Sequence, residues 1–169
     1  MYKRGFTLIE TIIYVALIGF IVTGFVAFGI SIAAARAKAH AIEEVESNAR
    51  AAFDILSVKV RGAAHVTSPA KGISLDGLMG PLLLDMPGSD PDVTFSVSGV
   101  MLYLTPAAGS PVTLLGKEVI VSSLTYKNLS EVGERDNLRV IATFQYKNPS
   151  GDNLYNYSQK LEMAISLRQ

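Results

Sequence analysis

The sequence contains no cysteine and no tryptophan, and none of its seven prolines occurs before Pro69. Without cysteine there is no disulfide scaffold, no thiolate zinc site and no cysteine to carry a lipid anchor. Without proline, nothing before Pro69 interrupts a helix by removing a backbone donor. Net charge is absent as well, with 15 Lys+Arg balancing 15 Asp+Glu, and this argues against a domain held to nucleic acid by a basic surplus. Charge of either sign is missing from Thr11 to Ala35. The 169 residues suffice for one modest core, and the apolar residues, 49% of the chain, are concentrated at the N-terminus.

What is present there is the run FTLIETIIYVALIGFIVTGFVAFGISIAAA, Phe6 to Ala35, in which Glu10 is the only charged residue. As a helix, its charge-free part reaches roughly 37 Å, more than the roughly 30 Å of a bilayer's hydrocarbon core. It can span a membrane. Lys3 and Arg4 precede it and Arg36 and Lys38 follow it, so the flanking cations do not decide orientation. Between Arg36 and Ala64 the apolar residues Ile42, Val45, Ala49, Ala52, Phe53, Leu56, Val60 and Ala63 recur at steps of three and four, which predicts one apolar stripe on a continuing helix. Gly62 and a Thr67-Ser68-Pro69 turn should end it near His65, with His65 as a cation at the helix C-terminus.

Beyond Pro69, Gly and Pro punctuate short β-rich runs. Residues 70–92 read as an irregular connection with one short strand at Leu82 to Leu84. Val93 to Val97 and Val100 to Thr105 flank Ser98-Gly99 as a hairpin; Val112 to Leu115 and Val119 to Leu129 follow, broken by Gly116. Leu138 to Tyr146 and Leu154 to Leu167 flank the loop Asn148 to Asn153, and Leu161, Met163, Ile165 and Leu167 fall on one face of the last run. The predicted fold is α+β, a long N-terminal helix packed on one antiparallel sheet of four to six strands.

The first ten residues, MYKRGFTLIE, carry the most information. A secretory signal has an apolar run of roughly 7–15 residues followed by a cleavage site. Here the run is about twice that and opens with an acid, which costs about 2.5 kcal/mol at a bilayer centre and so asks for a partner or a function. Lys3 to Glu10 (KRGFTLIE) resembles the type IV prepilin-like family: a short basic leader, Gly, then Phe-Thr-Leu-Ile-Glu opening a long apolar helix. The resemblance in sequence covers roughly residues 1–35, and in layout, a pilin-like helix followed by a sheet, the whole chain.

It implies cleavage between Gly5 and Phe6 by a membrane prepilin peptidase, N-methylation of Phe6, and Glu10 as the residue of filament assembly. It further implies four segments: a leader (1–5), a transmembrane and filament-core helix (6–35), its amphipathic half (36–66) and an exported sheet head (67–169). The chain would cross the cytoplasmic (inner) membrane once with its N-terminus on the inside and its head exported, and after assembly the head would stand in a cell-surface pilus or periplasmic pseudopilus. The partners implied are other pilin or pseudopilin subunits, the peptidase, an inner-membrane assembly platform and, before assembly, lipid; no nucleic acid is among them.

Independently of the resemblance, Gly5 lets the backbone lie extended in a protease cleft. Cutting there removes Lys3 and Arg4, leaving 13 cations against 15 anions and an ammonium at Phe6, one turn from Glu10. In a helix bundle away from water Glu10 can pair with that ammonium in its own chain or the next. Within the resemblance, many Gram-negative major pilins close their C-terminal region with a disulfide that this chain cannot form, and this departure together with the broad sheet implies a minor pilin or a type II secretion-type pseudopilin. Gly19, Gly24 and Gly29 recur every five residues, so they share no single helix face; the reading for them is ordinary membrane-helix glycine or local weakening that lets the helix stretch.

An enzyme finds no support. His40 and His65 are too far apart in sequence for a helical metal pair, Gly77-Leu78-Met79-Gly80 fits no phosphate-binding loop, and no catalytic or cofactor-binding constellation stands out. Asp85, Ser89, Asp90 and Asp92 gather carboxylates in one loop, but without the spacing of a calcium hand, and ordinary solvation is the simpler reading. The competing class is a single-pass anchored extracellular binding domain that never polymerises.

Overall fold

The computed structural model describes residues 7–131, 133, 135–148, 151 and 153–168. With no proline to stop it, one helix, α1 (Leu8–Gly62), runs for 55 residues. The chain divides into two compact units, Met1–Ala39 and His40–Gln169. No described residue of the first unit is buried, whereas in the second α1 buries Ala41, Val45, Ala49, Ala52, Phe53, Leu56, Ser57 and Val60. This is the predicted stripe, except that Ala41 rather than Ile42 begins it.

The helix stops at Gly62, earlier than expected. The Ala64 N–H goes to the Asp85 carbonyl (2.8 Å), so the chain leaves the helix by joining a sheet. His65 is therefore not a helix C-terminal cation but the first residue of a strand, and Thr67 and Ser68, expected as a turn, complete that strand.

Among the described residues nine strands follow: β1 (His65–Ser68), β2 (Ser74–Asp76), β3 (Leu82–Asp85), β4 (Val93–Ser98), β5 (Met101–Pro106), β6 (Val112–Thr113), β7 (Val119–Asn128), β8 (Asn137–Tyr146) and β9 (Ser158–Ser166). They make two sheets, not the single one expected, ordered β1-β3-β4-β5-β6 and β2-β7-β8-β9, with every pairing antiparallel. Alternation of apolar residues predicts which face of a strand is buried and not which strand it pairs with, which is why the division is invisible in the sequence. The expected irregular stretch holds β2 and β3. β9 starts later than expected, at Ser158, after a 3₁₀ turn at Asn153–Tyr155. Gly99, in the β4–β5 turn, adopts φ of 65°, which a residue with a Cβ avoids.

One continuous core joins the α1 stripe to the inner faces of both sheets, including Leu82, Phe95 and Leu104 from one and Leu124, Val140 and Phe144 from the other. Phe53 meets Phe144 edge to face, centroids 5.9 Å apart. Asn48 on α1 accepts the Gly116 N–H (2.7 Å), so Gly116 breaks the strand run and docks the break on the helix. At Gly77 an added Cβ would lie 2.6 Å from Leu124 Cγ and 2.8 Å from Tyr126 Cε2, so glycine is there because the core leaves no room for more.

A buried polar seam ties the helix exit to β8. Asp136, 5% exposed, accepts the Val66 N–H through Oδ2 (2.9 Å) and pairs with Lys71 Nζ through Oδ1 (3.1 Å), with His65 Nδ1 at 3.7 Å. Burial alone would raise its pKa; the Val66 amide, Lys71 and His65 outweigh burial and hold it below the ordinary carboxylate value. Beside it the Asn128 amide donates to the Pro69 carbonyl (3.0 Å), and Ser130 Oγ donates to Asn128 Oδ1 (2.6 Å) and accepts the Asn137 N–H (2.7 Å).

Asp136→Ala should cost about 2 kcal/mol in urea unfolding at neutral pH, because the Val66 N–H is left buried without an acceptor. Since the folded pKa lies below the unfolded one, the ionised Asp136 stabilises above the ordinary carboxylate value and that stability is lost as pH falls through the lowered one. The gap between parent and variant should therefore narrow on acidification. Truncation tests the core: a chain beginning at His40 should melt cooperatively by circular dichroism, and one beginning at Ala70, deprived of the stripe and β1, should not.

Candidate functional site: the N-terminal segment of the long helix

Gly5 and Phe6 lie outside the described residues, so the geometry begins at Thr7. Thr7 caps α1: its carbonyl accepts the N–H groups of Glu10 (3.1 Å) and Thr11 (3.2 Å), and its Oγ1 lies 3.4 Å from the Glu10 nitrogen as an acceptor. Counting Thr7 as the cap places Glu10 third in the helix, so Thr7-Leu8-Ile9-Glu10 has the spacing of a capping box, in which the acid can reach back to the cap. This signal is legible in the sequence, but a reading of Glu10 only as a charge in an apolar run misses it. As an acid in the first turn, Glu10 also complements the positive end of the helix dipole.

From Thr7 onward the surface suits a solvent without water. Leu8, Phe20 and Phe25 are more than 70% exposed, and apolar side chains point outward all round the helix. The hydroxyls along the run turn inward instead: Thr11 donates to the Thr7 carbonyl (3.3 Å), Thr23 to Gly19 (2.8 Å) and Ser31 to Ala27 (3.0 Å). Such back-bonding leaves no donor of these three to be satisfied by water, as hydrocarbon requires. Gly19, Gly24 and Gly29 have open space where a Cβ would stand, so nothing within the chain requires glycine there. α1 is long and apolar enough to cross a membrane.

The other candidates do not converge. His40 lies on α1 and His65 on β1. Among the described residues no three His, Cys, Asp or Glu side chains come together as a metal site. In the carboxylate loop, Asp92 Oδ1 accepts the Met86 N–H (3.2 Å), serving the loop's own backbone. Asp136, the most buried carboxylate described, is missed by sequence reasoning, because an Asp among loop residues looks solvated; its partners come from residues 65–71 and are found only by folding.

Compared with known families, residues 1–26 match the prokaryotic N-terminal methylation motif. No curated protein and no solved structure matches the chain. The motif indicates prepilin processing of the pilin and pseudopilin kind, and with the apolar helix it indicates a single-pass, membrane-anchored protein. Methylation motif, long apolar helix and antiparallel sheets together support a type IV prepilin-like family for this chain.

Proposed function

We propose that the protein is a non-enzymatic filament subunit, a minor pilin or type II secretion-type pseudopilin. It is cut between Gly5 and Phe6, N-methylated at Phe6 and drawn from the cytoplasmic membrane into a bundle of like helices. The observation that carries this is the junction of KRGFTLIE with a helix none of whose described residues before Ala41 is buried. Such a surface has lipid as one apolar medium and a bundle of similar helices as the other. In this reading residues 1–5 are a leader, 6–35 the membrane and filament-core helix, 36–66 its amphipathic half and 67–169 the head. The N-terminus faces the cytoplasm and the head is exported. The partners are sister subunits, the prepilin peptidase and a membrane assembly platform.

Within the filament Glu10 takes the Phe6 ammonium as its partner, in its own chain or the neighbour's. Away from water, a charge left without its partner costs about 3 kcal/mol or more, which selects one stagger between subunits. A second reading, an anchored binding domain that never polymerises, is favoured by the capping-box spacing, since a helix cap explains Glu10 without any neighbour. The two are separable, because glutamine serves in a capping box as well as glutamate but carries no charge.

Co-expression with a prepilin peptidase should yield, by intact mass, a chain beginning at Phe6 and carrying one added methyl. A start near Arg36 would instead identify an ordinary signal peptide. Glu10→Gln and Glu10→Ala should both leave membrane insertion intact or improved, and both should lower the ratio of filament-incorporated to membrane-resident protein at least about tenfold. If Glu10→Gln left the ratio unchanged while Glu10→Ala lowered it, capping would be the role of Glu10 and the assembly assignment would fall.

A further inference from the structure

Among the described residues, the longest unpaired sheet edge is β9. The other outer strands, β1, β2 and β6, have four, three and two residues, whereas β9 has nine and pairs with β8 along its whole length without a bulge. Leu167 donates its N–H to the Asp136 carbonyl and Tyr146 donates to the Tyr157 carbonyl, both at 3.0 Å, and these bonds at the two ends set the phase of the ladder. Odd-numbered residues of β9 bond to β8, so the N–H and C=O groups of Ser158, Lys160, Glu162, Ala164 and Ser166 face away from it. No strand among the described residues takes them. On the inner face of the same strand Leu161 and Met163 are only half-buried, where their neighbours on β8, Ala142 and Val140, are fully covered.

An edge of this length is a template for another strand, and its charges decide which strand fits. If the second strand is β9 of another copy, a two-fold axis passes through a single residue. An axis through Lys160 sets Lys160 against Lys160, and one through Glu162 sets Glu162 against Glu162; like charges directly opposite destabilise a pair. The register between them, with the axis through Leu161, sets Lys160 against Glu162 of the second copy twice over and Leu161 against Leu161. It also meets the backbone requirement, since the paired residues 160 and 162 both have outward-facing groups and exchange two N–H···O=C bonds at each pair. Glu162 is held in place by Arg139 from β8, which binds its Oε1.

We propose that β9 is a homotypic docking edge: two heads join antiparallel through it, in the register centred on Leu161, extending the four-stranded sheet across both copies. The outward charges thus favour this self-pairing, with its two Lys160–Glu162 pairs, and reject the registers centred on Lys160 and on Glu162. A two-fold contact of this kind closes on itself, unlike the open series of a filament. The proposal does not depend on the role of Glu10 or on cleavage at Gly5.

The absence of cysteine makes the test direct. In the full chain solubilised in detergent, Leu161→Cys places two thiols opposite each other at a non-hydrogen-bonded position, with Cα atoms about 4.5 Å apart, inside the range a disulfide spans. Under a copper–phenanthroline oxidant it should give a disulfide-linked homodimer at least about tenfold more abundant than Ser74→Cys, at the opposite edge of the same sheet. Adding Lys160→Glu to Leu161→Cys should lower that yield about tenfold by setting two pairs of acids opposite each other, and further adding Glu162→Lys should restore it. Equal yields from the two cysteine positions, failure of the charge swap to restore the dimer, or a cross-linked product whose mass shows a different protein would each overturn the proposal.

Discussion

Burial of one stripe of α1, Ala41 to Val60, is the contact on which the second unit depends. Each antiparallel sheet has one apolar face, and the stripe joins both faces in a single core with Phe53 against Phe144 as its aromatic contact. Small residues at Ala41, Ala49 and Ala52 let the strands approach closely, and larger ones at Val45, Phe53 and Leu56 fill the space between the sheets. The same helix before Ala41 has equal or greater apolar content, and none of its described residues there is buried. One continuous backbone therefore serves two environments: a protein interior for its second half, and an apolar medium supplied from outside the chain for its first.

How much of this is readable in advance follows from which forces act locally. The helix is legible because lack of proline and a repeat of three and four are properties of neighbouring residues. The β4–β5 hairpin is legible because Gly99 marks its turn. The division of the strands into two sheets is not, because pairing between β2 and β7, residues 74–76 with 125–127, leaves no trace in either segment alone. Asp136 is invisible for the same reason: its acceptor role is defined by Val66 and Lys71, some seventy residues away. At the N-terminus the position reverses. The motif can be read residue by residue, down to the cap at Thr7, whereas Gly5 and Phe6 lie outside the described residues.

Charge is sparse in this protein, and the places where it appears are correspondingly informative. Glu10 is the one charge in the apolar run, Asp136 the one buried carboxylate described in the sheet unit, and Lys160 and Glu162 the only charges on β9. Each stands where a neutral residue would be simpler for burial or solubility alone. At Asp136 the charge selects its partners, the Val66 amide and Lys71; the roles proposed for Glu10 and for the β9 pair are of the same kind, a selection that apolar contacts, being without direction, do poorly.

The seam at Asp136 also bears on the order of events during synthesis. Arg61 at the end of α1 offers its carbonyl to the Arg168 N–H (3.1 Å), and Val66 waits for Asp136 (2.9 Å), so the exit of the helix is closed by segments made long after it. A nascent chain has its apolar helix complete and exposed while the groups that finish the sheet unit are still unmade. Contacts of such sequence separation form slowly, because a long loop must close before they are gained. The first half of α1 is thus available to a membrane before the rest of the chain can finish folding.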